Sequence, residues 1–148
     1  MKIKKLSLFY FPLLGILFFT SLIFSYNSSV QELDLKQFDV KNLSSEQVII
    51  SYLKNNHHLP DYYVTRKKAE KSGWIPQKEN LCDVLPGKVI GGDVFTNRQN
   101  AVPDKKGRKW FEADLNYTCG IRGTDRVVFS NDGLIFVTYD HYNTFEQR

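Results

Sequence analysis

Near residue 88 the spacing of apolar residues changes, and no other property of this 148-residue chain restricts its fold as much. Before that point Val48, Ile49, Tyr52 and Leu53 recur at the three- and four-residue steps of one helical face. After it come four runs rich in β-branched and aromatic residues, 89–95, 109–117, 124–130 and 134–138, separated by Gly, Asn and Asp. Helices first and a meander afterwards predict an α+β domain, its N-terminal helices packed on one face of an antiparallel β-sheet. With 42% hydrophobic and 24% charged residues, the chain is neither disordered nor fibrous.

The first helix is expected from Ser45, its N-cap, to His57-His58, where Leu59-Pro60-Asp61 breaks it. A second follows Thr65, runs through Arg66–Lys71 and stops at Gly73; a short turn spans Asn80 to Leu85. Asn131-Asp132-Gly133 is a tight-hairpin signal between the last two long strands. Alternation then sorts the side chains. Phe111, Ala113, Leu115 and Tyr117 share one face, which suits the core, and Trp110, Glu112, Asp114 and Asn116 share the other. On the next strand Thr124, Arg126 and Val128 oppose Asp125, Val127 and Phe129, with Arg122 in phase with Arg126. If the polar faces coincide, two carboxylates and two guanidiniums gather on one surface. A solvated, salt-bridged sheet face is the plain alternative, and Asp140-His141-Tyr142 reads equally well as an exposed loop.

Lys2, Lys4 and Lys5 precede 21 uncharged residues, Leu6 to Tyr26, so residues 1–26 read as a signal peptide or a signal anchor. Residues 27–44 are polar and aperiodic, a linker or pro-segment, and the folded domain is expected over 45–148. The formal charge of +4 falls almost entirely on the leader, because the remainder holds 17 basic against 16 acidic residues. A broadly basic surface is thereby excluded. In an exported chain, one intramolecular disulfide is the simplest use of Cys82 and Cys119; two buried free thiols are the alternative. No Cys/His spacing suits a structural zinc ion.

From Ser45 to Arg148 the chain resembles the barnase- and binase-type bacterial guanyl-preferring ribonucleases. The resemblance rests on Leu59-Pro60-Asp61 with Tyr63, Gly73-Trp74, Pro86-Gly87-Lys88, the run Ile90 to Arg98, Glu112 to Thr118, Arg122, Asp125-Arg126 and Asp140 to Phe145. It implies a secreted endonuclease that cleaves single-stranded RNA through a 2′,3′-cyclic phosphate, without metal or cofactor, as a monomer. Glu112 falls on the family's general base and His141 on its general acid. Attacking and leaving oxygens lie on opposite sides of phosphorus, so a carboxylate and an imidazolium must flank it. Arg122 and Arg126 correspond to the arginines that hold the phosphate, with Asp114 orienting them and Asp93 in support. Arg66 stands where the barnase pattern has lysine.

Phe95, Thr96, Asn97 and Arg98 match the guanine-binding loop, and Tyr142 corresponds to the residue that stacks on the base. Gln99 replaces the family's base-accepting glutamate, which predicts a weaker guanine preference because charge-assisted hydrogen bonds are the stronger ones. His57 corresponds to a structural cation at the end of the first helix. The family also implies a barstar-like intracellular inhibitor, and membrane contact is expected only through the N-terminal segment. The reading from another class is a non-catalytic RNA-binding or membrane-tethered domain that keeps the fold; a toxin-like effector would share the chemistry and differ in destination.

Overall fold

The computed structural model describes residues 39–148, so the leader at 1–26 and most of the linker lie outside the described residues. The elements run α1 (Glu46–Asn56), β1 (Tyr63–Val64), α2 (Arg66–Lys71), a 3₁₀ turn (Pro76–Lys78), α3 (Leu81–Val84), β2 (Val89–Phe95), β3 (Trp110–Asp114), β4 (Arg126–Ser130), β5 (Ile135–Thr138) and β6 (Glu146–Gln147). The strands form one six-stranded sheet in sequence order, antiparallel except for the β1–β2 pair. The α+β architecture is the one the change of period predicts.

Ser45 takes the extended conformation of an N-cap, but its side chain makes no capping bond. At the other end His57 adopts a left-handed φ of 59° and its N–H closes the last turn on Leu53 O at 2.9 Å. Helix α1 lays Ile49 and Leu53 on Ala113, Leu115, Val127, Ile135 and Val137, the main core, so the alternation assigned to Ala113 and Leu115 holds. Tyr117 is buried too, in a second cluster with Trp74, Leu81, Val89 and Val40. Val40 is 1% exposed and Ser44 donates to Val40 O while accepting from Tyr117 N–H. The packed segment therefore starts before Ser45, so the expected linker over 27–44 is corrected for 39–44, where Val40 and Ser44 are buried.

Strand register brings Glu112 opposite Val128 and Asp114 opposite Arg126, with Arg126 in turn opposite Thr138. The polar faces do coincide. They are not, however, a solvated surface. Trp110, Val128 and Phe136 of the same face are buried with Val102, and the end of β2 and the C-terminal segment cover them with Phe95, Tyr142 and Phe145. The two-residue strands β1 and β6 are too short to leave a period. At the centre of β2 a bulge lies between Gly91 and Asp93. Gly91 is obligatory there, since a Cβ would sit 2.5 Å from that of Ala113 and 2.6 Å from the Tyr63 ring.

Cys82 in α3 and Cys119 in the turn after β3 form a disulfide with Cα atoms 5.8 Å apart, which removes the free-thiol alternative. The bridge closes a separation of 37 residues. Replacing both cysteines by serine should lower unfolding free energy by about 3–4 kcal/mol, the chain-entropy value for such a loop, as measured by urea titration. Equal midpoints for the two proteins would contradict this.

Candidate active site

Asp114 is the centre of the polar face and is only 2% exposed. Arg122 meets it with both arms of its fork, Nε on Oδ2 and Nη2 on Oδ1, each at 2.6 Å. Arg126 Nε lies 2.9 Å from Oδ1 without pointing its N–H at it, so that contact is an ion pair and not a hydrogen bond. Arg126 is fixed instead by Nη1, which donates to Gly123 O and Asp125 O. Burial works against the charge on Arg122, but the Asp114 hydrogen bond and attraction outweigh it and its pKa is raised. The Trp74 ring lies beneath, 5.8 Å from the guanidinium carbon. Two fixed cations around one carboxylate leave a net positive spot, the local arrangement an anion requires.

Glu112 sits two residues away on the same face, its side chain 15% exposed. Arg66 Nη2 donates to Oε1 at 3.0 Å and the Tyr142 hydroxyl to Oε2 at 2.6 Å. Arg66 is placed by the bulge: Asp93, re-aimed there, accepts from the Arg66 backbone N–H at 2.9 Å at the start of α2. Burial, and then the bond to Glu112, push the Tyr142 phenol far above its ordinary range, so it is a neutral donor.

His141 and Tyr142 both have positive φ, 57° and 74°, and their rings lie 5.1 Å apart. The turn that holds them is organised by Asp140. Its carboxylate accepts from the Thr138 and Thr144 hydroxyls and from the N–H groups of Asn143 and Thr144. The Thr144 bonds lead in lowering its pKa to about 2. Thr138 Oγ1 also accepts from the Tyr142 N–H. Thr138, Thr144, Trp74 and Tyr63, whose hydroxyl donates to Asp114 O, are supporting residues to which sequence reasoning gave no role, although Tyr63, Trp74 and Thr144 stand in the stretches that carry the resemblance. The Asp-x-x-Asn-Thr spacing of a side-chain-capped turn was the available signal for Thr144.

The expected base-recognition residues also converge. Phe95, Thr96, Asn97, Arg98 and Gln99 line a cavity of about 280 Å³ together with His141 and Tyr142. Asn97, at a φ of 45°, pins the loop by exchanging side-chain hydrogen bonds with both backbone groups of Val102. Tyr142 stacks on Phe95 at 5.5 Å, so an aromatic floor is ready-made. Arg98 and Gln99 are exposed at the mouth.

A family model described as ribonuclease matches residues 47–148. The chain belongs to the ribonuclease family. It is 50% identical over 97 residues to a ribonuclease of Heyndrickxia coagulans, an alignment covering 66% of this chain and 89% of that relative. Ribonucleases of Bacillus intermedius and Bacillus pumilus match at the same identity and length, and the alignment covers 60% of each. The relatives place the chain among the barnase- and binase-type microbial ribonucleases.

Asp114 is the residue this constellation can least spare. Asp114→Asn leaves the buried Arg126 and the part-buried Arg122 without their counter-charge, and should destabilise the protein by about 3–5 kcal/mol in thermal or urea unfolding. A change below about 1 kcal/mol would show that the arginines are held by their other partners.

Proposed function

We propose that the domain is a secreted, metal-independent endoribonuclease that cleaves single-stranded RNA after guanine by transesterification. The observation that carries this reading is the 2.6 Å contact between the Tyr142 hydroxyl and Glu112. It ties the turn presenting His141, and the cavity that would take the base, to the strand carrying the carboxylate. The scissile phosphate would lie against Arg122 and Arg126, with Arg66 holding Glu112 in place through the 3.0 Å contact to Oε1. With RNA bound, the ribose 2′-OH replaces the phenol at Oε2 and gives its proton to Glu112 as its oxygen attacks phosphorus. His141, protonated, delivers a proton to the departing 5′-oxygen as the P–O5′ bond breaks, leaving a 2′,3′-cyclic phosphate. Charge developing on the phosphoryl oxygens meets cations that need no reorganisation, which is where such sites gain most.

Base choice would rest on the loop Phe95 to Gln99, with Tyr142 sliding onto the base as a stacking partner. Gln99 supplies a neutral amide oxygen where a carboxylate would bind the guanine N–H edge more strongly. The barstar-like inhibitor implied by the family would meet the same arginines with acidic groups. Export through residues 1–26 belongs to this proposal as well.

Two measurements test it. Glu112→Gln and His141→Ala should each reduce kcat/KM on polymeric RNA by about 10²–10⁴-fold, with the wild type fully active in EDTA. Chelator-sensitive cleavage, or full activity in both variants, would refute the mechanism. Gln99→Glu should raise the preference for GpN over ApN dinucleotides by about three- to tenfold, the worth of one charge-assisted bond over a neutral one. An unchanged ratio would remove Gln99 from base recognition.

A further inference from the structure

His141 lines two cavities. Besides the base cavity, a hollow of about 420 Å³ adjoins it, bounded by Trp74, Glu79, Ile121, Arg122, Thr124 and Arg126. Two of those residues are the guanidiniums of the anion site, so a phosphate held there has His141 and a second pocket beside it. In the reaction proposed above, the atom that His141 protonates is the 5′-oxygen of the departing nucleoside. That oxygen leaves opposite the attacking 2′-oxygen, so its nucleoside extends away from the base cavity.

We propose that this hollow binds the leaving nucleoside and that Glu79 selects its base, an inference that rests on the ribonuclease reading. Ile121 is 72% exposed and offers an apolar side chain at the rim. Glu79 holds a left-handed φ of 55°, a conformation that glycine adopts without strain, yet the position carries a carboxylate. Its Oε2 hangs over Gly120, where an added Cβ would come within 3.7 Å of it. A carboxylate only accepts hydrogen bonds. Guanine presents N1–H and N2–H₂ side by side to such a group, and adenine and cytosine each present an exocyclic amine. Uracil has one N3–H between two carbonyl oxygens, which repel a carboxylate. The hollow therefore favours leaving nucleosides with an amino-bearing base, guanosine first, and disfavours uridine.

The test compares kcat/KM for GpG, GpA, GpC and GpU, each divided by that for hydrolysis of guanosine 2′,3′-cyclic phosphate, which carries no leaving nucleoside. The wild type should favour the three amino-bearing bases over uracil by about three- to tenfold, the range of one hydrogen bond to a charged acceptor at an exposed site. Glu79→Gly, which suits the backbone, and Glu79→Gln should bring the four values to within about twofold of one another. A wild-type preference for GpU, or ratios untouched by both substitutions, overturns the Glu79 assignment while leaving the cleavage reaction standing. A wild type that cleaves none of the dinucleotides, nor polymeric RNA, overturns both.

Discussion

A buried carboxylate cannot be left alone, and the fold is organised around that requirement at Asp114. An unpaired charge at 2% exposure would be prohibitively unfavourable, so Arg122 and Arg126 are drawn to it from a loop and from the neighbouring strand. The pairing works in both directions. Asp114 makes it possible to bury Arg126, which is 3% exposed, and the two cations exceed the one anion, so the cluster keeps positive charge to offer a ligand. The long turn between β3 and β4 is held down by this fork, by Trp74 beneath it and by the Cys82–Cys119 bridge.

How far the sequence was legible follows from the range over which each interaction acts. Strict alternation in 110–114 and 126–130 puts Glu112, Asp114 and Arg126 on one face whatever else happens, and pairing of the strands as neighbours in a hairpin-like meander brings them together. Tyr63–Val64 and Glu146–Gln147 escaped because two residues carry no period. The burial of Trp110 escaped because the cover comes from Val102, Tyr142 and Phe145, distant in sequence, and alternation says nothing about what lies on top of a face. The contact between Tyr142 and Glu112 depends on two consecutive non-glycine residues in left-handed geometry, held by Asp140 and Thr138. The Asp-x-x-Asn-Thr spacing signals a capped turn but not its left-handed pair, and only the resemblance put those residues at the site.

Charge tells a similar story of local arrangement over bulk composition. Three of the four excess positive charges stand in the first five residues, so the domain carries no general attraction for a polyanion. Elsewhere basic groups are matched by acidic ones: Arg148 joins Glu46 and Glu146, with the Tyr139 hydroxyl between, and Arg108 meets Asp132. These clamps join the C-terminus to α1 and the loop after β2 to the β4–β5 hairpin. Being partly exposed, each contributes modestly. Their consequence for the proposed site is that Arg66, Arg122 and Arg126 stand against a nearly neutral background, which would leave a phosphate one favourable position instead of many.

The division of labour between strands and loops follows from the same geometry. In the proposed reaction the groups given the chemistry, Glu112 and Arg126 with Asp114 holding the arginines, project from paired strands, where neighbouring backbone hydrogen bonds fix Cβ directions. Groups proposed to recognise bases, Phe95 to Gln99, Glu79 and Tyr142, lie at strand ends and in turns whose shape is set by side-chain-to-backbone bonds and positive φ. On this reading a substitution in a turn such as Gln99 would alter recognition without moving the sheet, whereas Asp114 cannot change without unsettling both arginines. His141, the proposed acid, is the exception that joins the two classes, because it is mounted in a turn. Its turn, shared with Tyr142, is held by a denser local network, the four hydrogen bonds accepted by Asp140, than the Phe95 to Gln99 loop has.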